Sequence, residues 1–252
     1  MKLSRRTFSQ NMLGSLLTFS LVRSLNNVGV LGHAIQPIVR KWLLEMESVT
    51  QALRAGKVKP SEWQRQIESL LSRVELKDLI AAIDYDKLSK NAIFPDDHES
   101  ADDVEFSKND GLPAELSFAP YFYAMRKGVA IIPHGHRNMT SMHMMLRGEA
   151  HLWQFERLAD EAQYMTIKPT GDRALGVGAV TTMSGQKDNI HWFKALSGPV
   201  FMFNIGVFRI NAAEGFSGRD CIDPLGGEKL KDGLIRARRI ELKEAYKLYG
   251  KS

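Results

Sequence analysis

Cysteine is almost absent from this sequence, since Cys221 is the only one among 252 residues. A single thiol excludes an internal disulfide and any C-x-x-C redox or metal motif. The sequence also contains no G-x-S-x-G nucleophile elbow, no phosphate-binding loop and no H-E-x-x-H metal helix. The sequence therefore contains no motif that indicates covalent hydrolysis, nucleotide binding or zinc chemistry on a helix.

The sequence lacks an apolar run of membrane-spanning length. Its N-terminal apolar run, 12–22, falls short of the roughly 20 residues that a spanning helix needs and is diluted by glycine and hydroxyl residues. The run follows an Arg5-Arg6 pair, so we predict residues 1–34 to be a twin-arginine export signal cleaved after Ala34. An uncleaved amphipathic anchor is the alternative. The signal predicts a bacterial periplasmic or secreted protein, with the twin-arginine machinery as a partner and no stable membrane span after processing.

Without residues 1–34, the sequence carries little net charge. Removing residues 1–34, which contain four basic residues and no acidic one, lowers the formal net charge from +5 to +1. The basic character of the sequence therefore belongs mainly to the predicted signal. The mature protein gives no reason to expect nucleic acid as a partner.

The region 35–92 is predicted to be helical. Apolar residues recur at helical spacing over 38–53, a second helix begins at Pro60, and a third covers about 76–88. We interpret their apolar stripes as packing faces, with a surface for a partner protein as the alternative. The segment 93–114 is rich in Asp and Glu and is predicted to be a solvated acidic loop.

From residue 115 to residue 212 the pattern changes to short apolar runs separated by Gly, Pro, Asp and Asn, which predicts an all-β sandwich or barrel. The eight runs are 117–125, 129–133, 141–146, 150–155, 164–168, 176–182, 190–195 and 199–210. The remaining segment, 213–252, is predicted to be a C-terminal extension with a basic helix over about 234–249. The predicted fold class is therefore mainly β.

Two histidines just beyond the second of these runs, His134 and His136, carry the strongest functional signal. Side chains alternate along a strand, so an H-x-H pair points both imidazoles to one face, and Gly135 leaves the other face uncrowded. Imidazole is a common ligand of transition metals. His191, in the sequence DNIHWFKA, is the best candidate for a third ligand. The alternative is that each histidine is an ordinary polar strand residue.

These motifs resemble a known family. Gly128, five residues, the H-x-H pair and a closing Gly148 resemble the first motif of the cupins, small β-barrel proteins that hold a metal in the barrel mouth. The usual acidic ligand of that motif falls at Thr140 or Ser141. The sequences IPHGHRNM, LRGEAHLWQF and KDNIHWFKA, together with a later G-R-x-C at 218–221, resemble the cysteamine dioxygenase and plant cysteine oxidase branch of the thiol dioxygenases.

This resemblance implies a cupin-type small jelly-roll β-barrel behind an N-terminal helical layer. It also implies that His134, His136 and His191 bind one divalent transition metal, Fe(II), without a carboxylate; zinc, manganese and nickel remain alternatives. The implied function is a mononuclear non-haem iron dioxygenase that acts with dioxygen on a small thiol or related compound. The alternative is a non-catalytic metal- or small-ligand-binding cupin whose helical layer is a partner surface. A homo-oligomer is left open.

Further residues are candidates for substrate contact or for orienting the ligands. His143 is either a spare ligand or a hydrogen-bonded structural residue, and Ser184 and Gln186 lie close enough to His191 in sequence to orient it. The complete set of these candidates is Tyr123, His143, Trp153, Ser184, Gln186 and Trp192.

Overall fold

A computed structural model describes residues 37–106 and 111–251. The predicted export signal, 1–34, lies outside the described residues. Within the described ranges, no helix combines the length and the apolar character needed to cross a membrane.

Helices form the first part of the described chain. They are α1 (Pro37–Arg54), α2 (Pro60–Leu71), α3 (Leu76–Ala82) and α4 (Tyr85–Asn91). The apolar stripes of α1 and α2 are buried in one core together with one face of a β-sheet, where Trp63 packs in the same cluster as Phe122 and Phe203. This burial confirms the interpretation of the stripes as packing faces.

The prediction of one helix over 76–88 is wrong. The structure divides this segment into α3 and α4, with Asp84 between them in a left-handed conformation at φ 52°. A left-handed residue turns the backbone away from the helical path, so the two short helices cannot share one axis. The apolar spacing in the sequence continues across the break and therefore does not mark it.

Eleven strands are described, and eight of them form a jelly roll. The strands are β1 (Ser100–Asp103), β2 (Ala119–Met125), β3 (Ala130–Arg137), β4 (Met139–Arg147), β5 (Ala150–Asp160), β6 (Tyr164–Leu175), β7 (Val180–Ser184), β8 (Ile190–Ala195), β9 (Val200–Phe208), β10 (Ser217–Lys229) and β11 (Ile235–Arg239). The strands from β2 to β9 are divided between two sheets, in the orders β2-β9-β4-β7 and β3-β8-β5-β6, and successive strands change sheet except β5 and β6. This is the strand order of a double-sheet jelly roll, so the predicted mainly β jelly-roll fold is confirmed.

The segment predicted as an acidic loop, 93–114, contains a strand. β1 pairs with β2 at the edge of the five-stranded sheet, and its register places Ala101 opposite Tyr123. Backbone hydrogen bonds to β2 form this strand, although its sequence, SADD, offers no apolar alternation. Burial raises the pKa of Asp102 and of Asp103, and a neighbouring acidic residue adds to each shift.

The predicted C-terminal helix is present, but it covers only the second half of the predicted range 234–249. The structure places β11 in the first half, followed by a four-residue helix, α5 (Leu242–Ala245), and a π-helical turn (Tyr246–Gly250). In β11, Ile235 and Ala237 are buried and Arg238 is exposed, which is the period-two pattern of a strand. β10 and β11 close the second sheet into a six-stranded barrel, in the order β10-β11-β6-β5-β8-β3. The barrel therefore extends beyond the predicted range 115–212.

Candidate metal centre

The H-x-H pair lies on β3, with both imidazoles buried between the two sheets. His134 is 2 % exposed and His136 is 6 % exposed. Gly135 faces the other side of the strand, where a Cβ atom would lie 2.5 Å from Asn189 Oδ1 and 3.0 Å from Ile190 Cγ1. Glycine therefore allows β3 to lie close to Asn189 and Ile190, so the face opposite the two imidazoles is closely packed and not uncrowded as expected.

His191 lies on β8 directly opposite His134 in the antiparallel pairing of β3 and β8. Residues paired in this way project to the same face of the sheet. The ring centroids are 4.4 Å apart for His134 and His191, 4.6 Å for His134 and His136, and 5.4 Å for His136 and His191. One nitrogen from each ring lies within 4.8 Å of the other two, so the predicted trio forms one compact cluster.

Backbone carbonyls orient two of these rings. His134 Nδ1 lies 2.7 Å from the Ile132 carbonyl oxygen, and His136 Nδ1 hydrogen-bonds the Gly218 carbonyl oxygen. A carbonyl accepts only, so each Nδ1 carries the proton and each Nε2 has a free lone pair. By strict hydrogen-bond geometry His191 Nδ1 has no partner among the described residues, although the Asn189 backbone lies close enough to act on the ring. Two oriented lone pairs and a third buried imidazole fit a metal ion with nitrogen ligands.

Burial keeps the three imidazoles neutral. It is the main reason that the pKa values of His134 and His191 lie well below 6.5, and neighbouring histidines lower them further. Burial and the positive charge of Arg219 lower the pKa of His136 to about 3. A protonated imidazole has no free lone pair for a metal, so this environment favours the ligating form.

Two of the other candidate residues lie at the same place. The His143 ring, on β4 of the opposite sheet, is 5.4 Å from the His191 ring, and the Tyr123 ring, on β2, is 6.2 Å from the His143 ring. Phe193 lies beside both histidines, 5.0 Å from His143 and 5.8 Å from His191. The histidine cluster therefore lies between two sheets that both carry imidazole side chains, and the Phe193 ring lies next to it.

The remaining candidates lie elsewhere. Trp153 and Trp192 stack on each other at 3.8 Å, and Trp192 belongs to an apolar cluster on the opposite face of β8 from His191. Ser184 Oγ accepts hydrogen bonds from the backbone of the following turn, and Gln186 Oε1 accepts two from Ser61 at the start of α2. Neither side chain contacts a cluster histidine.

Asn189 performs the orienting role that we expected of Ser184 and Gln186. Its Nδ2 donates to the His136 carbonyl oxygen at 2.8 Å and to the Ser184 carbonyl oxygen at 3.1 Å. The side chain is 2 % exposed and joins β3 to the turn that precedes His191. Its position two residues before His191, in the sequence DNIH, was the signal that sequence reasoning did not use.

In the sequence, Arg219 stands out only as part of the G-R-x-C resemblance, and Glu99 has no assigned role. Arg219 donates to Glu99, whose side chain is 2 % exposed, and to the Tyr246 hydroxyl at 2.9 Å. This ion pair connects the strand edge at β1 with β10, and so joins the two sheets on one side of the cluster. Although burial opposes it, the charge of Glu99 raises the pKa of Arg219, so the guanidinium remains positive. No motif links two residues so far apart in sequence.

This protein is similar to known proteins in structure, but the sequence comparisons find no match. No family model matches the sequence, and no curated protein matches it. The similar solved structures include a cupin superfamily protein from Desulfitobacterium hafniense, which is 11 % identical over 45 % of this chain and 81 % of that one, with a TM-score of 0.30. A conserved protein with a double-stranded β-helix domain from Klebsiella pneumoniae is 11 % identical over 52 % of this chain and 91 % of that one, with a TM-score of 0.36. Recombinant oxalate oxidase in complex with glycolate is 12 % identical over 49 % of this chain and 56 % of that one, with a TM-score of 0.34.

Proposed function

We propose that this protein binds one divalent transition metal through His134, His136 and His191, and that it is a mononuclear non-haem iron dioxygenase acting on a small thiol or related compound. The observation that carries the proposal is the convergence of three buried imidazoles within 4.8 Å. The resemblance of the motifs around these histidines to the three-histidine thiol dioxygenases supports iron as the metal. Nitrogen ligands also suit zinc and nickel, so metal identity belongs to the test.

The chain's own residues would hold and orient the reactants. His134 and His136 are fixed by their Nδ1 hydrogen bonds, and β8 holds His191 in register with His134. When bound, the iron would supply the redox chemistry between dioxygen and the thiol. Phe193 and the buried faces of the two sheets exclude water from the cluster.

We also propose that the protein is exported through the twin-arginine route to the periplasm. The support is the Arg5-Arg6 pair followed by a weakly apolar run. Replacing Arg5 and Arg6 by lysine is expected to leave the chain in the cytoplasmic fraction of a bacterial host, whereas the unchanged sequence reaches the periplasm. Equal periplasmic amounts of both would refute export by this route.

Oxygen uptake tests the enzymatic part of the proposal. The full chain, loaded with Fe(II) without oxygen, is mixed with each member of a panel of small thiols in an oxygen-electrode cell. We expect consumption that depends on one class of thiol and is lost in His191→Ala. His151→Ala is the matched control, because His151 pairs with Asp172 on the surface and lies outside the cluster.

A filled metal site without substrate-dependent uptake would favour the alternative of a non-catalytic metal- or ligand-binding protein. In that case a partner would not dock on the apolar stripes of α1 and α2, since the structure buries them against the sheet. Uptake that persists in His191→Ala would contradict the proposal, because the metal would then act from another place.

A further inference from the structure

Polar groups without partners line the sheet that faces the histidine cluster. Ser141 and His143 lie two residues apart on β4, so their side chains project to the same face. Ser141 is 1 % exposed and His143 is 6 % exposed. Among the described residues, Ser141 Oγ is buried without a hydrogen-bond partner. The His143 ring and the hydroxyl of the half-buried Tyr123 form no hydrogen bond within the described ranges either.

Orphaned groups of this kind call for an explanation. Roughly 90 % or more of buried polar groups in proteins have a hydrogen-bond partner, and each exception carries a cost. Here Ser141 Oγ is such an exception, and His143 and Tyr123 on the same sheet also lack hydrogen-bond partners among the described residues. The His143 ring is 5.4 Å from the His191 ring, and the Tyr123 ring is 6.2 Å from the His143 ring. A ligand bound beside the histidines would supply the missing partners.

The hydrogen-bond donors of Tyr123, Ser141 and His143 indicate a ligand that carries acceptor atoms. Burial raises the pKa of Tyr123 to about 12, so its hydroxyl keeps its proton and can donate. The Ser141 hydroxyl and one nitrogen of a neutral His143 imidazole can donate as well. Together they offer three neutral donors, and among the described residues no carboxylate belongs to the histidine cluster.

Arg219 does not occupy the ligand's place. Its guanidinium nitrogens already donate to Glu99 and Tyr246, and the Glu99 carboxylate offsets its positive charge. Direct hydrogen bonds to a ligand would therefore come from Tyr123, Ser141 and His143.

We propose that Tyr123, Ser141 and His143 form a carboxylate-binding wall, which positions the acidic group of a small ligand against the histidine cluster. This inference rests on the proposed function and assigns a carboxylate group to the small compound that binds at the metal site. A carboxylate offers two acceptor oxygens with about four lone-pair positions, which match three donors. A thiol group held at the metal would offer the wall only a weak acceptor and leave these buried groups unpaired.

Acetate is the probe for this wall, with Co(II) as a spectroscopic metal. The full chain is loaded with Co(II), its visible spectrum is titrated with acetate, and cobalt content is measured by mass spectrometry. Tyr123→Phe and Ser141→Ala each remove one oxygen atom and keep the packing. Tyr164→Phe is the matched control, because Tyr164 lies under Arg236 on the surface of the barrel.

We expect acetate affinity to fall about five- to tenfold in Tyr123→Phe and in Ser141→Ala, as for one lost hydrogen bond each, and to stay within twofold in Tyr164→Phe. Cobalt content and the urea midpoint without acetate should not fall in either wall variant, since neither hydroxyl has an internal partner. A lower midpoint with unchanged acetate affinity would show a structural role and overturn the inference.

The two proposals fail in different ways. If cobalt binds at one per chain and is lost in His191→Ala, but the wall variants bind acetate like the parent, the metal site stands and the wall is refuted. If no cobalt binds, the proposed function is refuted, and saturation-transfer NMR of acetate on the metal-free chain decides the wall. A saturation signal that disappears in both wall variants would support it, and an equal signal would overturn it.

Discussion

Gly135→Ala is the substitution whose cost follows most directly from the structure. The new Cβ would lie 2.5 Å from Asn189 Oδ1 and 3.0 Å from Ile190 Cγ1. Asn189 cannot simply turn away, because its Nδ2 binds the carbonyl oxygens of His136 and Ser184 and the side chain is 2 % exposed. Moving it breaks two hydrogen bonds, and leaving it in place overpacks the strand. We expect a loss of about 2–4 kcal/mol in the free energy of unfolding.

Equilibrium urea unfolding measures this effect. The midpoint should fall while the slope with denaturant is unchanged, since the same surface is exposed on unfolding. Gly176→Ala is the matched control, because no atom lies within 4 Å of a Cβ at that position and its φ is not left-handed. A Gly135→Ala free energy within about 0.5 kcal/mol of the parent, the scatter of ordinary surface substitutions, would refute the close approach of β3 to Asn189.

Further predictions concern charge, protonation and reactivity. Arg219→Met leaves the buried Glu99 carboxylate unpaired and should lower the free energy of unfolding in urea by about 3–5 kcal/mol. Adding Glu99→Gln to this variant should recover most of the loss. Equal stability of the single and the double variant would contradict the role of the ion pair. The metal-free chain should lose stability as the pH falls below about 6.5. Burial lowers the pKa of His136 and His143 to about 3, whereas histidines of the unfolded chain bind protons near pH 6.5. Each of these histidines should therefore lower the free energy of unfolding by about 1.4 kcal/mol per pH unit. Stability that is flat from pH 6.5 to pH 4 would contradict these burials. Cys221 should resist a thiol reagent at pH 8 until the protein unfolds, because burial raises its pKa to about 11; rapid labelling of the native chain would show that the thiol is accessible.

Much of the barrel could be predicted because its signals are local. The eight apolar runs correspond to β2–β9, since turn residues separate short strands whose buried side chains set the pattern. β10 and β11 were missed because Gly and charged residues interrupt their alternation, and β1 because backbone pairing alone forms it. The break at Asp84 depends on one residue's conformation, which apolar spacing does not encode.

The cluster could be predicted in part for the same reason. His134 and His136 share a face by strand period alone, but the register that brings His191 opposite His134 is set by the pairing of β3 with β8. The same period places Trp192 on the face away from His191, so proximity in sequence misled the choice of Trp192 as a neighbour. The Glu99–Arg219 pair connects two strand edges and leaves no trace in either segment alone.

Metal content tests the central claim most directly. The mature chain, purified without oxygen and without a histidine-containing tag, is compared with His134→Ala and His191→Ala by elemental analysis. We expect about one iron per chain in the parent and loss of the metal in both variants, since each removes one of three ligands. No bound metal in the parent, even after reconstitution with Fe(II), would contradict the three-histidine site.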